Sequence, residues 1–394
     1  MRAVSAPTDP TPVDLTKART ASGPAPEPVA APPAQIQVFP AAFTGQAGEY
    51  FRLWLVNLVL SVVTLGLYLP WARVRNRQYF YGHTWVDGHN FEYAANPWAL
   101  LRGYLLVGVF FGTYSAAMQF QFSGWEWVAG GVALLFGLLY PWMVRQSLRF
   151  LARSTVHRGL NFGFGGSVGG AYMAYGVANV AAVVSFGLAL PLAWYAQRDY
   201  QVRGLRYGAA PGRFRGGPGG LYLIGLTALG LTVGGGLLIG VLGALAAVLI
   251  GAAQTGGPDL SGDFDDLFSQ PGVLVGAIAA YLGVLALYGV AWQYVRAATL
   301  RYVLNHLELG GVVRARATFS TARLVWIGVG NAAAQVVSLG LLTPWAAVRR
   351  ARYVAAHTQV LSLVSLGTFQ AGQATRESAL GEAATELLDI NLGF

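Results

Sequence analysis

The stretch TLGLYLPWARVRNRQY (64–79) occurs again in modified form as SFGLALPLAWYAQRDY (185–200) and as SLGLLTPWAAVRRARY (338–353). All three copies contain a Gly, a Pro four residues after it, an Ala two residues further on and a closing Tyr. The shared Gly and Pro residues are Gly66, Gly187, Gly340, Pro70, Pro191 and Pro344. Each copy ends an apolar run, so the pattern predicts an internal repeat with three equivalent membrane elements.

The composition around these copies is that of a membrane protein. Of the 394 residues, 55% are hydrophobic and only 11% are charged, and the mean hydropathy is +0.48. A membrane-crossing helix needs roughly 20 apolar residues. Seven runs of about that length lie near 51–72, 98–120, 125–144, 172–195, 221–252, 272–295 and 324–348. The chain is therefore predicted to be a multi-pass membrane protein.

Arginine blocks beside the apolar runs set the expected orientation. The net charge is +9, and basic segments favour the cytoplasmic side of a membrane. If all seven runs cross, the Arg-rich segment 198–215 falls outside and the Asp-rich segment 259–266 falls inside. This conflict disappears if the three repeat runs are re-entrant and the other four cross, with both termini cytoplasmic. Seven simple spans with an imperfect charge rule remain the alternative.

Taken together, these patterns predict an all-α polytopic fold in the inner membrane. It would contain six to seven apolar helical segments, three of them repeat elements broken by Gly and Pro. Short alternating stretches around Asp87-Gly88 predict small cytoplasmic β-hairpins. The predicted domains are a disordered Pro/Ala-rich tail (1–42), repeat 1 with a helical hairpin (43–165), repeat 2 with a helical hairpin (166–318), and a partial repeat 3 with a C-terminal tail (319–394).

Three asparagines hold nearly equivalent places in the repeat runs, eight or nine residues before the shared Gly. A buried amide needs a hydrogen-bond partner. In the structural interpretation each amide satisfies a break in the helix or bridges to a neighbouring helix. In the functional interpretation the repeats line a polar path. The residues of that path would be Asn57, Gly66, Pro70, Asn179, Gly187, Pro191, Asn331, Gly340 and Pro344.

Trp and Arg residues in the first and third copies form a second candidate site. Arginines at a membrane edge attract anionic lipid headgroups, and Trp favours the same depth. The candidate headgroup residues are Trp71, Arg73, Arg75, Arg77, Trp345, Arg349, Arg350 and Arg352. Membrane lipids, above all anionic ones, are therefore the predicted partners. The second copy has Leu192 where the others have Trp, so an identical role for all three copies is not expected.

No catalytic, cofactor or metal site is predicted, and the chain is not expected to be an enzyme. The sequence has no nucleophile elbow, P-loop lysine or HExxH motif. His83 and His357 each follow a repeat Pro by thirteen residues, but no partner stands at ligand spacing, so both are interpreted as structural. No nucleic-acid-binding motif accompanies the positive charge. Glycines at four-residue spacing in 221–252 leave a homo-oligomer open.

The PWA motif followed by Arg and Tyr, together with GLNFGFGGS at 159–167, resembles the YjgN-like family of bacterial inner-membrane proteins. The resemblance runs from Phe43 to Phe394 and includes the closing ELLD and LGF segments. It implies an integral membrane protein of uncharacterised role, with no catalytic residues to carry over. Two function hypotheses follow. A transporter or channel with pseudo-symmetric repeats is preferred, because repeats with broken helices often serve passage; its substrate is unknown. The alternative is an anionic-lipid-binding or envelope scaffold protein.

Overall fold

Ten short strands form a closed antiparallel barrel in the computed structural model, which describes residues 36–255 and 271–373. The strands are β1 (Gln37–Phe43), β2 (Thr84–Val86), β3 (His89–Tyr93), β4 (Thr155–His157), β5 (Leu160–Phe164), β6 (Leu205–Tyr207), β7 (Ala210–Phe214), β8 (Leu307–Leu309), β9 (Val313–Ala317) and β10 (Thr358–Ser362). Each strand pairs with its neighbours in chain order, and β1 closes the barrel against β10. All of strand β1 except its last residue, Phe43, lies within the segment 1–42 that the sequence assigns to the tail.

The barrel follows from alternation of apolar and polar side chains along its strands. In β9 the sequence Val-Arg-Ala-Arg-Ala places Val313 and Ala317 in the core and leaves Arg314 and Arg316 exposed. Apolar residues from all around the barrel meet in its interior. The buried members of this cluster are Ala41, Val86, Leu160, Tyr207, Ala210, Val313, Leu366 and Phe369. The inside is apolar and the outside is polar, as in a small soluble barrel.

Tight turns connect neighbouring strands at one end of the barrel. Asp87 and Gly88, which join β2 to β3, both have positive φ angles, 50° and 71°. Arg158 and Gly159, which join β4 to β5, repeat this geometry with φ angles of 53° and 75°. Such turns match the right-handed twist of the strands they connect. Because the turns occupy one end, the chain leaves for its helices from the other end of every strand.

The helices are α1 (Ala47–Val63), α2 (Leu69–Gly82), α3 (Pro97–Phe120), α4 (Trp125–Arg153), α5 (Val168–Val184), α6 (Leu190–Gly204), α7 (Pro218–Thr255), α8 (Pro271–His306), α9 (Thr321–Val337), α10 (Thr343–Ala356) and α11 (366–373). A π-helical segment, Tyr172–Val177, interrupts α5. From α1 to α10, each helix packs against the next, and α10 packs against α1. The described chain thus forms five strand–helix–helix–strand modules around one barrel.

A compact apolar cluster forms at each junction where one helix meets its two neighbours. Phe43, Tyr50 and Val348 lie together where α1 meets α2 and α10. Phe319 and Leu324 lie together where α9 meets α8 and α10. Three further clusters occupy the corresponding junctions around α3, α5 and α7. These clusters fix the base of each helix pair on the rim of the barrel.

The shared Gly of each copy ends one helix, and the Pro begins the next. Gly66, Gly187 and Gly340 have φ angles of 88°, 89° and 89°, and the residue before each one also has a positive φ. The Gly N–H bonds to the carbonyl five residues earlier, at 2.7 to 2.8 Å, which closes the helix in the manner of a Schellman cap. The following Pro lies in the first turn of the next helix, where it loses no hydrogen bond. Each copy therefore forms the turn and most of the second helix of a short helix pair, and the apolar run before it forms the first helix.

Four helices in the described part of the chain are long and apolar enough to cross a membrane: Pro97–Phe120, Trp125–Arg153, Pro218–Ile250 and Leu274–His306. The tips of the short helix pairs are also apolar and exposed, with Leu65, Phe186 and Leu339 at least 94% accessible. An apolar tip of this kind is stable in a lipid environment rather than in water.

The prediction of an all-α fold is wrong, because the β-hairpins join into one closed ten-stranded barrel. Strands of three to seven residues, separated by helix pairs, carry little local signal. Closure depends on pairing between distant segments, such as Gln37 with Ser362, which no local pattern reports. The hairpin expected at Asp87-Gly88 is present as part of this barrel.

Helix α11 covers the end of the barrel that carries the turns. Leu366 and Phe369 insert into the apolar interior. The Gln370 side chain donates from Nε2 to the carbonyl oxygen of Arg158 at 2.6 Å. One end of the barrel therefore meets the helix pairs, and the other is closed by α11.

Candidate functional site

A cleft between α1, α9 and α10 collects basic and aromatic side chains at the junction of barrel and helices. Its volume is about 410 Å³. We call it the arginine cleft. Its polar and aromatic lining residues are Arg323, Trp345, Arg349, Arg352, Tyr353 and His357. Three guanidinium groups facing one concave surface create a strongly positive site.

The arginines of this cleft are held by neutral partners. Arg349 donates from Nη1 to the Asn331 Oδ1 at 3.2 Å, and its guanidinium carbon lies 5.0 Å from the centre of the Trp345 ring. Arg352 donates from Nη2 to the Gly45 carbonyl oxygen at 3.0 Å. Within residues 36–255 and 271–373, Arg323, Arg349 and Arg352 form no salt bridge. Their charges are therefore available to an external anion.

Local helix geometry explains why these side chains converge. Trp345, Arg349 and Arg352 are spaced by four and three residues, so they share one face of α10. Arg323 lies in the first turn of α9, where the Ser320 hydroxyl caps the helix by accepting from the Arg323 N–H. The packing of α9 against α10 then brings Arg323 to the same cleft.

A second cleft, of about 500 Å³, lies between α8, α9 and α10. It is lined by Gln293, Arg296, Asn331 and Arg350, among others. Burial lowers the pKa of Arg350 from its ordinary value, and the nearby charge of Arg296 acts in the same direction. The group stays charged at neutral pH, because even a substantial decrease leaves an arginine protonated. Asn331 lines this cleft while it holds Arg349, so one amide connects the two clefts.

The candidate headgroup residues of the first copy are placed differently. Arg73 lies over the Tyr104 ring at 5.2 Å, and Arg75 lies over Tyr68 at 5.7 Å. Arg77 donates to the Tyr93 hydroxyl at 2.8 Å. Trp71 packs edge-on against Trp98, with ring centres 4.9 Å apart. Of the eight residues, the structure brings Trp345, Arg349 and Arg352 together in one cleft and Arg350 into the adjacent one, while the other four lie on a different helix pair.

The three repeat asparagines each bond to the facing helix of their own pair. Asn57 donates from Nδ2 to the Asn76 Oδ1 at 3.1 Å. Asn179 accepts on Oδ1 from the Gln197 Nε2 at 2.9 Å, and Asn331 donates to the Ala346 carbonyl oxygen at 2.9 Å. The Gly and Pro residues of the candidate path lie at the helix ends described above. The structure therefore places the nine residues in three separate helix pairs.

Sequence reasoning missed Arg323 and the position of His357 in the cleft. Arg323 stands outside the three sixteen-residue copies, and only the packing of α9 against α10 adds it. His357 bonds through Nδ1 to the Tyr353 carbonyl oxygen at 2.9 Å. His83 and His306 bond to the carbonyls of Tyr79 and Tyr302 in the same way. This recurring Tyr-x-x-x-His spacing was a signal in the sequence for the ends of three helices.

The fold and clefts define a polytopic membrane protein with a closed ten-stranded barrel and arginine-lined clefts beside it. The chain belongs to the family described as "Bacterial protein of unknown function (DUF898)", whose model matches residues 39–387. It is similar to inner membrane protein YjgN of Salmonella typhimurium strain LT2, with 35% identity over 125 residues. It is also similar to inner membrane protein YjgN of Escherichia coli K12, with 32% identity over 128 residues.

The matched segments cover 31% and 32% of this chain, and 30% and 31% of the two relatives. The chain thus spans about a third of the length of the curated relatives it matches. No solved structure matches. The resemblance to the YjgN-like family is confirmed by the family match and by these relatives.

Proposed function

We propose that this protein is a multi-pass inner-membrane protein that binds the phosphate headgroup of an anionic phospholipid in the arginine cleft. The observation that carries the proposal is the set of three arginines, Arg323, Arg349 and Arg352, that share one cleft and have no acidic partner in the described chain. Guanidinium groups bind phosphate oxygens through paired, charge-assisted hydrogen bonds. The binding would anchor the barrel at the membrane surface.

The depth of the cleft supports this proposal. A helix rises about 1.5 Å per residue, so Arg349 and Arg352 lie roughly 14 and 18 Å from the turn at Gly340 along α10. Half of a bilayer's hydrocarbon core is about 15 Å thick. With the apolar tip of the α9–α10 pair at the middle of the bilayer, these arginines reach the headgroups. Trp345, which is 39% exposed, lies on the hydrocarbon side of these arginines, and its ring contacts the Arg349 guanidinium.

Transport finds less support in the geometry. Apolar side chains line the barrel interior, and α11 covers one end. The repeat asparagines bond within their own helix pairs, which suits a structural role. Arginine-lined clefts beside an apolar barrel that is covered at one end fit a lipid-binding protein better than a path for a solute.

Orientation and the role of the three short helix pairs belong to the same proposal. The outward arginines of the barrel favour the cytoplasmic side. The short pairs would then enter the bilayer from that side and return, while the four long helices cross. The repeated Gly and Pro positions support one common origin for the three pairs.

The test is binding of a fluorescent phosphatidylglycerol to the full chain in detergent, compared with the zwitterionic phosphatidylcholine analogue. Charge-assisted hydrogen bonds contribute about 1.5–3 kcal/mol each. The combined variant Arg323→Gln, Arg349→Gln and Arg352→Gln should therefore weaken phosphatidylglycerol binding at least tenfold. The matched control is Arg206→Gln, Arg213→Gln and Arg316→Gln, which removes the same charge from the outside of the barrel. Equal binding by both triple variants would overturn the proposal.

A further inference from the structure

The barrel interior contains a cavity that lipid binding does not explain. It has a volume of about 120 Å³ and lies between the strands and helix α11. Strand residues Phe91, Phe162 and Tyr207 line it together with Phe369 of α11. The lining is almost entirely apolar, so the cavity is a site for an apolar molecule rather than for water.

Aromatic rings form much of the cavity wall. The Phe162 and Tyr207 ring centres are 4.9 Å apart, and Tyr207 and Phe369 stack with centres 6.1 Å apart. On the other side Phe91 stacks on the His157 ring at 4.5 Å. Aromatic walls favour another aromatic ring, because offset-stacked and edge-to-face contacts contribute beyond simple burial of area.

One polar atom in this wall lacks a partner. His157 is 8% exposed, and its Nε2 has no hydrogen-bond partner among the described residues. Nε2 of a neutral histidine is a donor in one tautomer and an acceptor in the other. A buried polar atom without a partner is costly in either case, so the site favours a ligand whose polar group can both donate and accept.

A second unpartnered atom requires an acceptor. The Nε of Arg158 also lines the cavity region and has no hydrogen-bond partner within the described ranges. Its terminal nitrogen is held by the Asp87 carboxylate. The Arg158 Nε–H is a donor. A hydroxyl group accepts from it through oxygen and can also donate to His157 Nε2 or accept from it, so a hydroxyl matches both unpartnered atoms.

We propose that the barrel lumen binds a small single-ring aromatic molecule that carries a hydroxyl group, that is, a phenol. A protein cavity of about 150 Å³ lined by apolar side chains holds benzene, so the volume here suits one ring. The aromatic walls bind the ring, and His157 selects the hydroxyl. Helix α11, which provides Leu366 and Phe369, completes the wall of the site.

The test uses ¹⁹F NMR on the full chain in detergent, with 4-fluorophenol and fluorobenzene as probes. Wild-type protein should give a bound resonance for both probes, with 4-fluorophenol at least tenfold tighter. His157→Phe keeps an aromatic ring of similar size but removes the unpartnered Nε2. This variant should bring the affinity for 4-fluorophenol down to that for fluorobenzene and leave the fluorobenzene affinity within about twofold.

A filling variant separates the lumen from the detergent micelle, which also takes up these probes. Ala315 lines the cavity, so Ala315→Ile should remove the bound resonance of both probes. The matched control Arg316→Ile introduces the same side chain one residue further on, at an exposed position, and should leave both resonances. If Ala315→Ile does not fold, judged by its thermal transition, Ala315→Val serves in its place. Absence of a bound resonance in wild type, or its survival in the filled variant, would overturn the proposal.

Discussion

Arg349 and Asn331 are linked by a hydrogen bond of 3.2 Å that runs from helix α10 to helix α9. The same Asn331 side chain donates to the Ala346 carbonyl oxygen and is 7% exposed. A single buried amide therefore joins the two helices and orients one of the three cleft arginines. This arrangement connects the stability of the helix pair with the geometry of the arginine cleft.

Asn331→Leu should lower the free energy of unfolding by about 1–3 kcal/mol, because Arg349 and a buried carbonyl both lose a partner. Thermal unfolding in detergent measures this change. The matched control is Gln335→Leu, one turn later on α9, because the Gln335 side chain makes no hydrogen bond in the described structure. An equal loss in both variants would show that the amide bonds do not stabilise the pair. The polar path is tested separately, by measuring solute flux in the Asn57→Leu and Asn179→Leu variants.

His157 should make the barrel less stable in acid. Burial, the charge of Arg158 and the nearby His89 lower the pKa of His157 from 6.5 to about 4. The unfolded chain therefore binds more protons than the folded chain between these values, and stability falls as the pH drops through this window. The full loss is about 3 kcal/mol, at 1.36 kcal/mol per unit of pKa. Above pH 6.5 the contribution of His157 to stability does not change with pH.

The free energy of unfolding of the wild type, measured at a series of pH values from 7.5 to 4, gives the slope of stability against pH. His157→Phe should flatten this slope, whereas His89→Gln, at the exposed first residue of β3, should leave most of it. A wild-type slope that persists in His157→Phe would assign the acid sensitivity to carboxylates instead.

Glu308 should stabilise the outer wall of the barrel. Its side chain is 1% exposed and bridges the Nε atoms of Arg215 and Arg314, at 2.6 and 2.9 Å. Both arginines are about half exposed, so water can solvate them once the carboxylate is lost. Glu308→Gln should therefore cost about 1–3 kcal/mol, which denaturant unfolding would detect. Glu92→Gln, an exposed carboxylate on β3, is the control, and the idea fails if both variants lose the same stability.

Gly212 should tolerate no larger side chain. A Cβ atom there would collide with the Val202 carbonyl oxygen, and backbone cannot move aside as a flexible side chain can. Gly212→Ala should destabilise the protein by at least about 2 kcal/mol or prevent its folding. Gly219→Ala, at a position with open space around it, should be nearly neutral. Comparable expression and melting temperature for the two variants would contradict the close approach of α6 to β7.

Single cysteines test the orientation, because the natural chain contains none. Ser123 lies in the turn between α3 and α4, and Asn161 is exposed on the barrel strand β5. In intact spheroplasts a membrane-impermeant maleimide should label Ser123→Cys and spare Asn161→Cys until the membrane is opened. Labelling of Asn161→Cys without permeabilisation would place the barrel outside.

The sequence predicts the membrane elements well and the barrel poorly. The four long helices and the helix breaks at Gly66, Gly187 and Gly340 follow from local apolarity and backbone preference, which a single segment contains. The barrel depends on pairing between strands of three to seven residues that are separated by whole helix pairs. Of the cleft, Trp345, Arg349 and Arg352 are visible as one helical face. Arg323 joins them only because α9 packs beside α10. The spacing of residues along one helix does not predict which other helix packs against it.

Strand β1 has its two partners at very different points of the chain. It pairs with β2, about 40 residues later, and with β10, about 320 residues later. Ribosomes add roughly 5–20 residues per second, so one edge of β1 waits some tens of seconds during synthesis before β10 exists. Through that interval the nascent chain presents unpaired N–H and C=O groups, which invite pairing with other chains. Biogenesis of this protein should therefore depend on chaperone protection of the first strand until β10 has been synthesised.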